Sequence, residues 1–137
     1  MTDATAVAPA ASPKWMMWTG YVLTGLVVAF MLMDATMKLM QLPIVAETGS
    51  LLGWAPDTAL PLGVMLLVCT ILYAVPQTSL LGAVLLTGYL GGAVATHVRV
   101  GSPLFSHVLF GVYLGLMTWG GLWLRDSRLR ALFPLKR

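Results

Sequence analysis

Four long apolar stretches dominate the sequence, and short links that contain proline, glycine or polar residues separate them. An α-helix rises about 1.5 Å per residue, so about 20 apolar residues are needed to cross a hydrocarbon layer of about 30 Å. Windows of high hydrophobicity therefore predict membrane-spanning helices at residues 15–40, 59–75, 79–98 and 103–124. The predicted fold class is all-α, an integral membrane four-helix bundle.

The links between these helices differ in length. Pro76 begins a tight turn between the second and third helices, and Pro103 ends a similar turn between the third and fourth. Links this short predict antiparallel neighbours. The link at 41–58 is longer, and its segment 50–54 ends in Trp54, which predicts a turn or half-helix at the membrane interface.

The composition indicates that lipid rather than water surrounds most of the exterior. Hydrophobic residues make up 58% of the 137 residues and charged residues only 9%, whereas about 25% are charged in a typical soluble domain. The formal net charge of +3 comes from basic residues beside the apolar stretches, so it does not predict nucleic acid as a partner. The single cysteine, Cys69, cannot form an intramolecular disulfide, and no CxxC pair is present for thiol exchange.

The basic residues also predict an orientation, because cytoplasmic segments of membrane proteins carry an excess of Lys and Arg. Only Lys38 and Arg99 flank the end of the bundle that bears the long link. Six basic residues flank the opposite end: Lys14, Arg125, Arg128, Arg130, Lys136 and Arg137. Both termini are therefore predicted to be cytoplasmic.

The chain is long enough for one domain. Residues 1–13 are rich in Ala, Pro, Thr and Ser without periodicity, which predicts a disordered N-terminal lead. Residues 14–125 form the predicted bundle, and residues 126–137 form a basic cytoplasmic tail. The uncharged run after Lys14 is long for the apolar region of a signal peptide, so we expect this segment to be a retained span.

Ionisable residues inside the predicted spans indicate function, because burying them in lipid is costly. Asp34 and Lys38 lie one turn apart on the first helix. Asp34, His97 and His107 each lie near the outer end of a different helix, roughly 6 Å below that end. The sequence therefore predicts a polar pocket at the outer end of the bundle. Its candidate residues are Asp34, Lys38, Tyr89, Thr96, His97, Arg99 and His107.

Three interpretations of this cluster are open. Asp34 could form an ion pair with Lys38 or Arg99 that fixes helix register, while the histidines hydrogen-bond to loop backbone. The same residues could line a pocket for a ligand or a redox partner. His97 and His107 could instead ligate a haem, but no further feature of the sequence indicates haem, and no metal site is predicted.

Small residues recur at helical spacing and predict close helix packing. Gly88 and Gly92 form one GxxxG pair, and Gly111 and Gly115 form another on the next helix. We expect these pairs to let the two antiparallel helices approach each other closely.

Two segments resemble a known family. The first is GYLGGAVATHVRVG at 88–101 and the second is WGGLWLRD at 119–126, with His107 between them. With these segments the chain resembles the DoxX-like family of small bacterial membrane proteins, over about residues 15–132. The resemblance implies a four-helix protein of the bacterial cytoplasmic (inner) membrane that crosses it several times.

The same resemblance bears on function. The wider DoxX group includes a subunit of an archaeal thiosulfate:quinone oxidoreductase and membrane partners of oxidative-stress enzymes, which implies a link to redox chemistry. His97 and Arg99 match the family motif, but the match does not assign either residue a catalytic role.

We therefore expect a redox-linked membrane subunit that binds a quinone or another small lipophilic molecule in the outer pocket. Asp34, His97 or His107 could exchange protons with a quinone oxygen. Arg99 or Lys38 could stabilise the developing negative charge. Electrons would come from a redox partner protein or from the substrate, because the sequence has no flavin or iron–sulfur motif. The alternatives are a non-catalytic membrane anchor or assembly partner and, third, a small transporter that would have to form a homo-oligomer.

Overall fold

The computed structural model describes residues 13–132, and these residues are all-α. A 3₁₀-helix precedes α3 and another precedes α4, and a π-helix at Leu104–Val108 precedes α5. The α-helices within the described range are α1 (Lys14–Leu39), α2 (Pro43–Leu51), α3 (Ala59–Ala74), α4 (Ser79–Val100), α5 (Phe110–Arg125) and α6 (Ser127–Leu132).

Three segments are long and apolar enough to cross a membrane: Lys14–Leu39, Pro76–Val100 and Leu104–Arg125. The helix α3 is apolar but has only 16 residues, a length of about 24 Å. The chain is therefore a multi-pass helical membrane protein, and all four predicted apolar helices are present within a few residues of their predicted bounds. The predicted lead lies outside the described residues except for residue 13, and the predicted tail forms α6 as far as residue 132.

The four long helices form a ring. The helix α1 packs against α3 and α5, and α4 packs against the same two neighbours. We call the two ends of this bundle the α6 end, where α1 begins and α5 ends, and the α2 end. The largest fully buried side chains lie mostly in the half nearer α6: Val27, Met31, Leu66, Thr70, Tyr73, Leu86, Thr118 and Leu122.

Glycine allows the closest helix contact at the turn between α3 and α4. A Cβ atom at Gly82 would lie 2.2 Å from the backbone nitrogen of Tyr73, so only glycine lets these two helices meet there. The predicted GxxxG contact is correct for Gly111, where a Cβ would lie 3.1 Å from the Leu90 carbonyl oxygen. It is wrong for Gly88 and for Gly92, because among residues 13–132 no atom outside their own helix lies within 4 Å of the corresponding Cβ positions.

A polar cluster around Arg125 joins the helices at the α6 end. The guanidinium donates a hydrogen bond from Nε to Thr24 Oγ1 (3.0 Å) and another from Nη2 to Ser79 Oγ (3.3 Å). Its central carbon lies 5.8 Å from the ring centroids of Tyr21 and Tyr73, within cation–π range. Arg125, a basic residue that predicts orientation in the membrane, therefore also connects α1, α3, α4 and α5.

We expect Arg125→Met to lower the free energy of unfolding by about 2 kcal/mol, because hydrogen bonds from a charged donor are each worth about 1.5–3 kcal/mol. Thermal unfolding in detergent measures the effect. Arg128→Met is the matched control, since Arg128 is exposed and lies only three residues further along the chain. Equal melting temperatures for the two variants would contradict the role given to Arg125.

Candidate functional site

The half of the bundle nearer α2 contains a cavity of about 1240 Å³. The helices α1, α3, α4 and α5 supply most of its wall, and the rest comes from α2, the loop and 3₁₀ turn that follow it, and the π-helix. The wall is largely apolar and includes Phe30, Trp54, Leu62, Met65, Phe110 and Leu114. The cavity therefore lies mainly nearer α2 than the packed core does, although core residues such as Met31 and Leu90 also line it.

The cavity brings together six of the seven residues predicted for the polar pocket. They come from α1, α4 and the π-helix, and the six are Asp34, Lys38, Tyr89, Thr96, His97 and His107. A largely apolar cavity with a few polar groups on its wall is the usual form of a small-molecule site.

Arg99 is the predicted pocket residue that does not line the cavity. Its side chain is exposed, and its Nη2 donates a hydrogen bond to the Leu52 carbonyl oxygen (2.8 Å). The adjacent Gly53 has a φ of +81°, and a Cβ there would lie 3.2 Å from the Arg99 guanidinium. Arg99 therefore ties the end of α4 to the loop after α2, and its side chain does not line the cavity.

Asp34 pairs with Lys38. The Lys38 ammonium donates to Asp34 Oδ1 at 2.6 Å across one helical turn, and both side chains are half-buried. Of the two partners that the sequence allowed for Asp34, the structure selects Lys38. The pair lies within α1, so it does not hold two helices in register, and both residues also face the cavity.

The two histidines lie side by side. Their ring centroids are 5.7 Å apart with an interplanar angle of 65°, an edge-to-face contact. Each Nδ1 hydrogen-bonds to a serine hydroxyl, His97 to Ser102 (2.9 Å) and His107 to Ser106 (2.7 Å). The partners are thus side chains rather than the loop backbone that the sequence suggested. Neither Nε2 hydrogen-bonds to another described residue, which leaves both atoms for a ligand.

The geometry does not favour haem or another metal. The two imidazoles contact each other rather than face a shared gap. Among residues 13–132, no group of three or more His, Cys, Asp or Glu side chains is arranged to hold a metal ion.

Tyr89 and Thr96 lie along the α4 wall of the cavity. The Thr96 hydroxyl donates to the Gly92 carbonyl oxygen (2.8 Å), so toward a ligand it can act only as an acceptor. Tyr89 is half-buried and packs against the core. Both residues therefore line the cavity on the side that α4 forms.

Two elements of the site were not predicted. The helix α2 begins at Pro43, after an extended Leu42, whereas the sequence analysis placed a turn or half-helix at 50–54. Proline at the first position of a helix was the signal that could have identified α2. The π-helix that carries His107 is closed by backbone bonds such as Val108 N–H to the Pro103 carbonyl oxygen (3.1 Å), and hydrophobic periodicity does not reveal it.

These features define the class of protein: a helical membrane protein with a largely apolar cavity and a polar cluster toward one end of the bundle. A comparison with protein families identifies the family within this class. The profile of the DoxX-like family matches residues 22–121, which include the six cavity residues and Arg99, and the chain belongs to that family. The resemblance seen in the sequence is thereby confirmed. Searches among curated proteins and among solved structures gave no match.

Proposed function

We propose that this protein is a redox-linked membrane subunit whose cavity binds a quinone-like molecule, with a polar head and an apolar body. One observation carries the proposal. A single cavity combines a mainly apolar wall with the six predicted polar or ionisable side chains, which come from three separate elements. This combination is the form expected of a site for a molecule with a polar head and an apolar body.

The polar residues suit a molecule with carbonyl oxygens. With Nδ1 accepting from the serine hydroxyl, a neutral histidine carries its proton on Nε2 and can donate it to a ligand oxygen. Lys38 adds a positive charge near the oxygen on which negative charge would develop. Asp34 holds the Lys38 ammonium in place at 2.6 Å.

Reduction of a quinone to a quinol takes up two electrons and two protons. Each histidine can pass its Nε2 proton to a quinone oxygen while its Nδ1 takes up a proton through the serine hydroxyl, which is resupplied from water, so that the ring stays neutral. The electrons would come from a redox partner protein, because the chain has one cysteine and so no dithiol of its own to oxidise. In this proposal the protein binds the ligand and supplies protons, and the partner supplies electrons, so the protein is a ligand-binding subunit rather than a complete enzyme.

The proposal includes a location. Following the distribution of basic residues, we place the α6 end and both termini in the cytoplasm of a bacterium and the α2 end outside its inner membrane. The helix α3 is then the fourth span, with the adjoining 3₁₀ turns extending it at both ends. The site would lie toward the extracytoplasmic side.

A second candidate, a non-catalytic anchor or assembly partner, is favoured by the Asp34–Lys38 ion pair, which could serve stability alone. The variant Asp34→Asn distinguishes the ligand-binding function from the anchor function. If the cavity binds a ligand, we expect the variant to fold and to retain about tenfold less co-purified quinone or other lipophilic molecule, measured by mass spectrometry. Asp57→Asn is the matched control, since Asp57 is exposed and does not line the cavity.

The anchor interpretation predicts a different pattern. Asp34→Asn would mainly lower the folded yield, Asp34→Asn combined with Lys38→Met would restore it, and no ligand would co-purify with any form. That pattern would contradict the proposed binding function.

A further inference from the structure

The helices α3 and α4 touch near the α6 end and leave a gap between them toward the α2 end. At the turn, Gly82 brings α4 against the backbone of Tyr73. Further along, Met65 and Val68 on α3 and Val84 on α4 are each about half exposed and line the cavity. These side chains line the cavity and are also exposed at the surface of the bundle. The wall between the two helices is therefore incomplete at this place.

Two glycines on α4 make this gap wider, because they have no side chains to fill it. Gly88 and Gly92 line the cavity, and no atom from elsewhere lies within 4 Å of a Cβ built at either position. Gly91 is equally free of neighbours, but it does not line the cavity. The same helix therefore offers two glycines on the cavity side and one beside them on another face.

Among the described residues, no charged side chain lies along the gap. Residues 59–98, which include α3 and most of α4, contain no Asp, Glu, Lys or Arg. Thr96 lies twelve positions after Val84 on α4, which is about 18 Å along the helix. A molecule that filled this space would have its polar group near Thr96 and the histidines, with only apolar contacts near Val84.

From this arrangement we infer that the gap between α3 and α4 is a lateral portal, through which the ligand enters from the bilayer and its long alkyl or prenyl tail extends back into the lipid. The inference rests on the proposed function and narrows its ligand class to quinones with a tail. A tail moving from lipid into an apolar gap loses no favourable solvation, because lipid chains and apolar side chains are equally apolar. The polar groups near the α2 end then select the head.

The test compares two probes on the full-length protein in lipid nanodiscs: a benzoquinone with a decyl tail and the same head without the tail. Leucine at Gly88 or Gly92 places a side chain in the portal, and leucine at Gly91 adds the same group beside it. We expect Gly88→Leu and Gly92→Leu to weaken or slow binding of the tailed probe about tenfold more than binding of the tailless probe. Gly91→Leu should match wild type with both probes.

The possible outcomes separate the two proposals. Tailed-probe binding that Gly88→Leu and Gly92→Leu leave unchanged would overturn the portal and leave the quinone site in place. An equal loss of both probes in these variants would also overturn it, because the leucines would then fill the head site. Failure of wild type to bind either probe would overturn the proposed function itself. A melting temperature equal to that of wild type excludes loss of fold as the cause in each variant. Gly88 and Gly92 provide independent tests.

Discussion

Replacing Gly82 with alanine should destabilise the protein more than any other single methyl group added to the bundle. The new Cβ would lie 2.2 Å from the backbone nitrogen of Tyr73, 2.4 Å from its Cα and 2.7 Å from the carbonyl carbon of Leu72. All three are backbone atoms, so no change of rotamer can relieve the overlap, and α3 and α4 must move apart. We expect a loss of about 3 kcal/mol, the upper part of the usual range for overpacking.

Gly91→Ala is the matched control for this prediction. It adds the same methyl group to the same helix, at a position where nothing lies within 4 Å. Thermal unfolding in detergent, together with the folded yield, should show a large decrease for Gly82→Ala and none for Gly91→Ala. Equal stability of the two variants would contradict the close approach of α3 and α4 at their turn.

Replacing both histidines with leucine should abolish most ligand binding while leaving the fold intact. The double variant His97→Leu/His107→Leu removes two Nε2 donors, each worth about 1–1.5 kcal/mol to a ligand oxygen. The combined loss corresponds to about 100-fold weaker binding of the decyl-tailed benzoquinone, measured by calorimetric titration. Leucine is apolar and of similar size, and neither imidazole is fully buried, so the melting temperature should change little.

Two further variants show whether the histidines act through hydrogen bonds. His97→Gln/His107→Gln keeps a side-chain N–H donor at each position and should recover part of the affinity. Thr36→Val removes a hydroxyl that bonds to the Leu32 carbonyl oxygen and does not line the cavity, so it should bind as wild type does. Equal affinity of the leucine and glutamine double variants would contradict the proposed role of the histidines as donors.

The shared depth of Asp34, His97 and His107 could be predicted from the sequence for a simple reason. The short links mark the helix ends, and the constant rise of an α-helix converts the distance along the chain from each end into a depth. Asp34 and His107 line the same cavity, although they lie 73 positions apart in the sequence.

The rotation of each helix about its axis was harder to predict. The helix α4 is apolar almost all round, so its hydrophobic pattern does not distinguish the face that packs from the face that lines the cavity. For this reason Arg99 was assigned to the pocket, although it reaches the loop after α2 instead. The same ambiguity led to the wrong contact for Gly88 and Gly92, whereas the close approach on α4 occurs at Gly82.

The cavity itself could not be predicted from the sequence. It depends on where α3 and α4 separate, and therefore on the contact at Gly82 near their turn and on the π-helix that sets the start of α5. Neither feature has a signature in hydrophobic periodicity. The polar residues were visible in the sequence, but the space between them was not.

The most direct test of the binding site is a titration of the full-length protein with the decyl-tailed benzoquinone, followed by the chemical shifts of its backbone amides in detergent micelles. We predict that saturable shifts concentrate on the cavity-lining parts of the bundle, around Asp34, Tyr89, His97 and His107, and leave the cluster around Arg125 unchanged. Shifts that do not saturate, or that spread evenly over the lipid-facing surfaces of the helices, would contradict a specific site in the cavity.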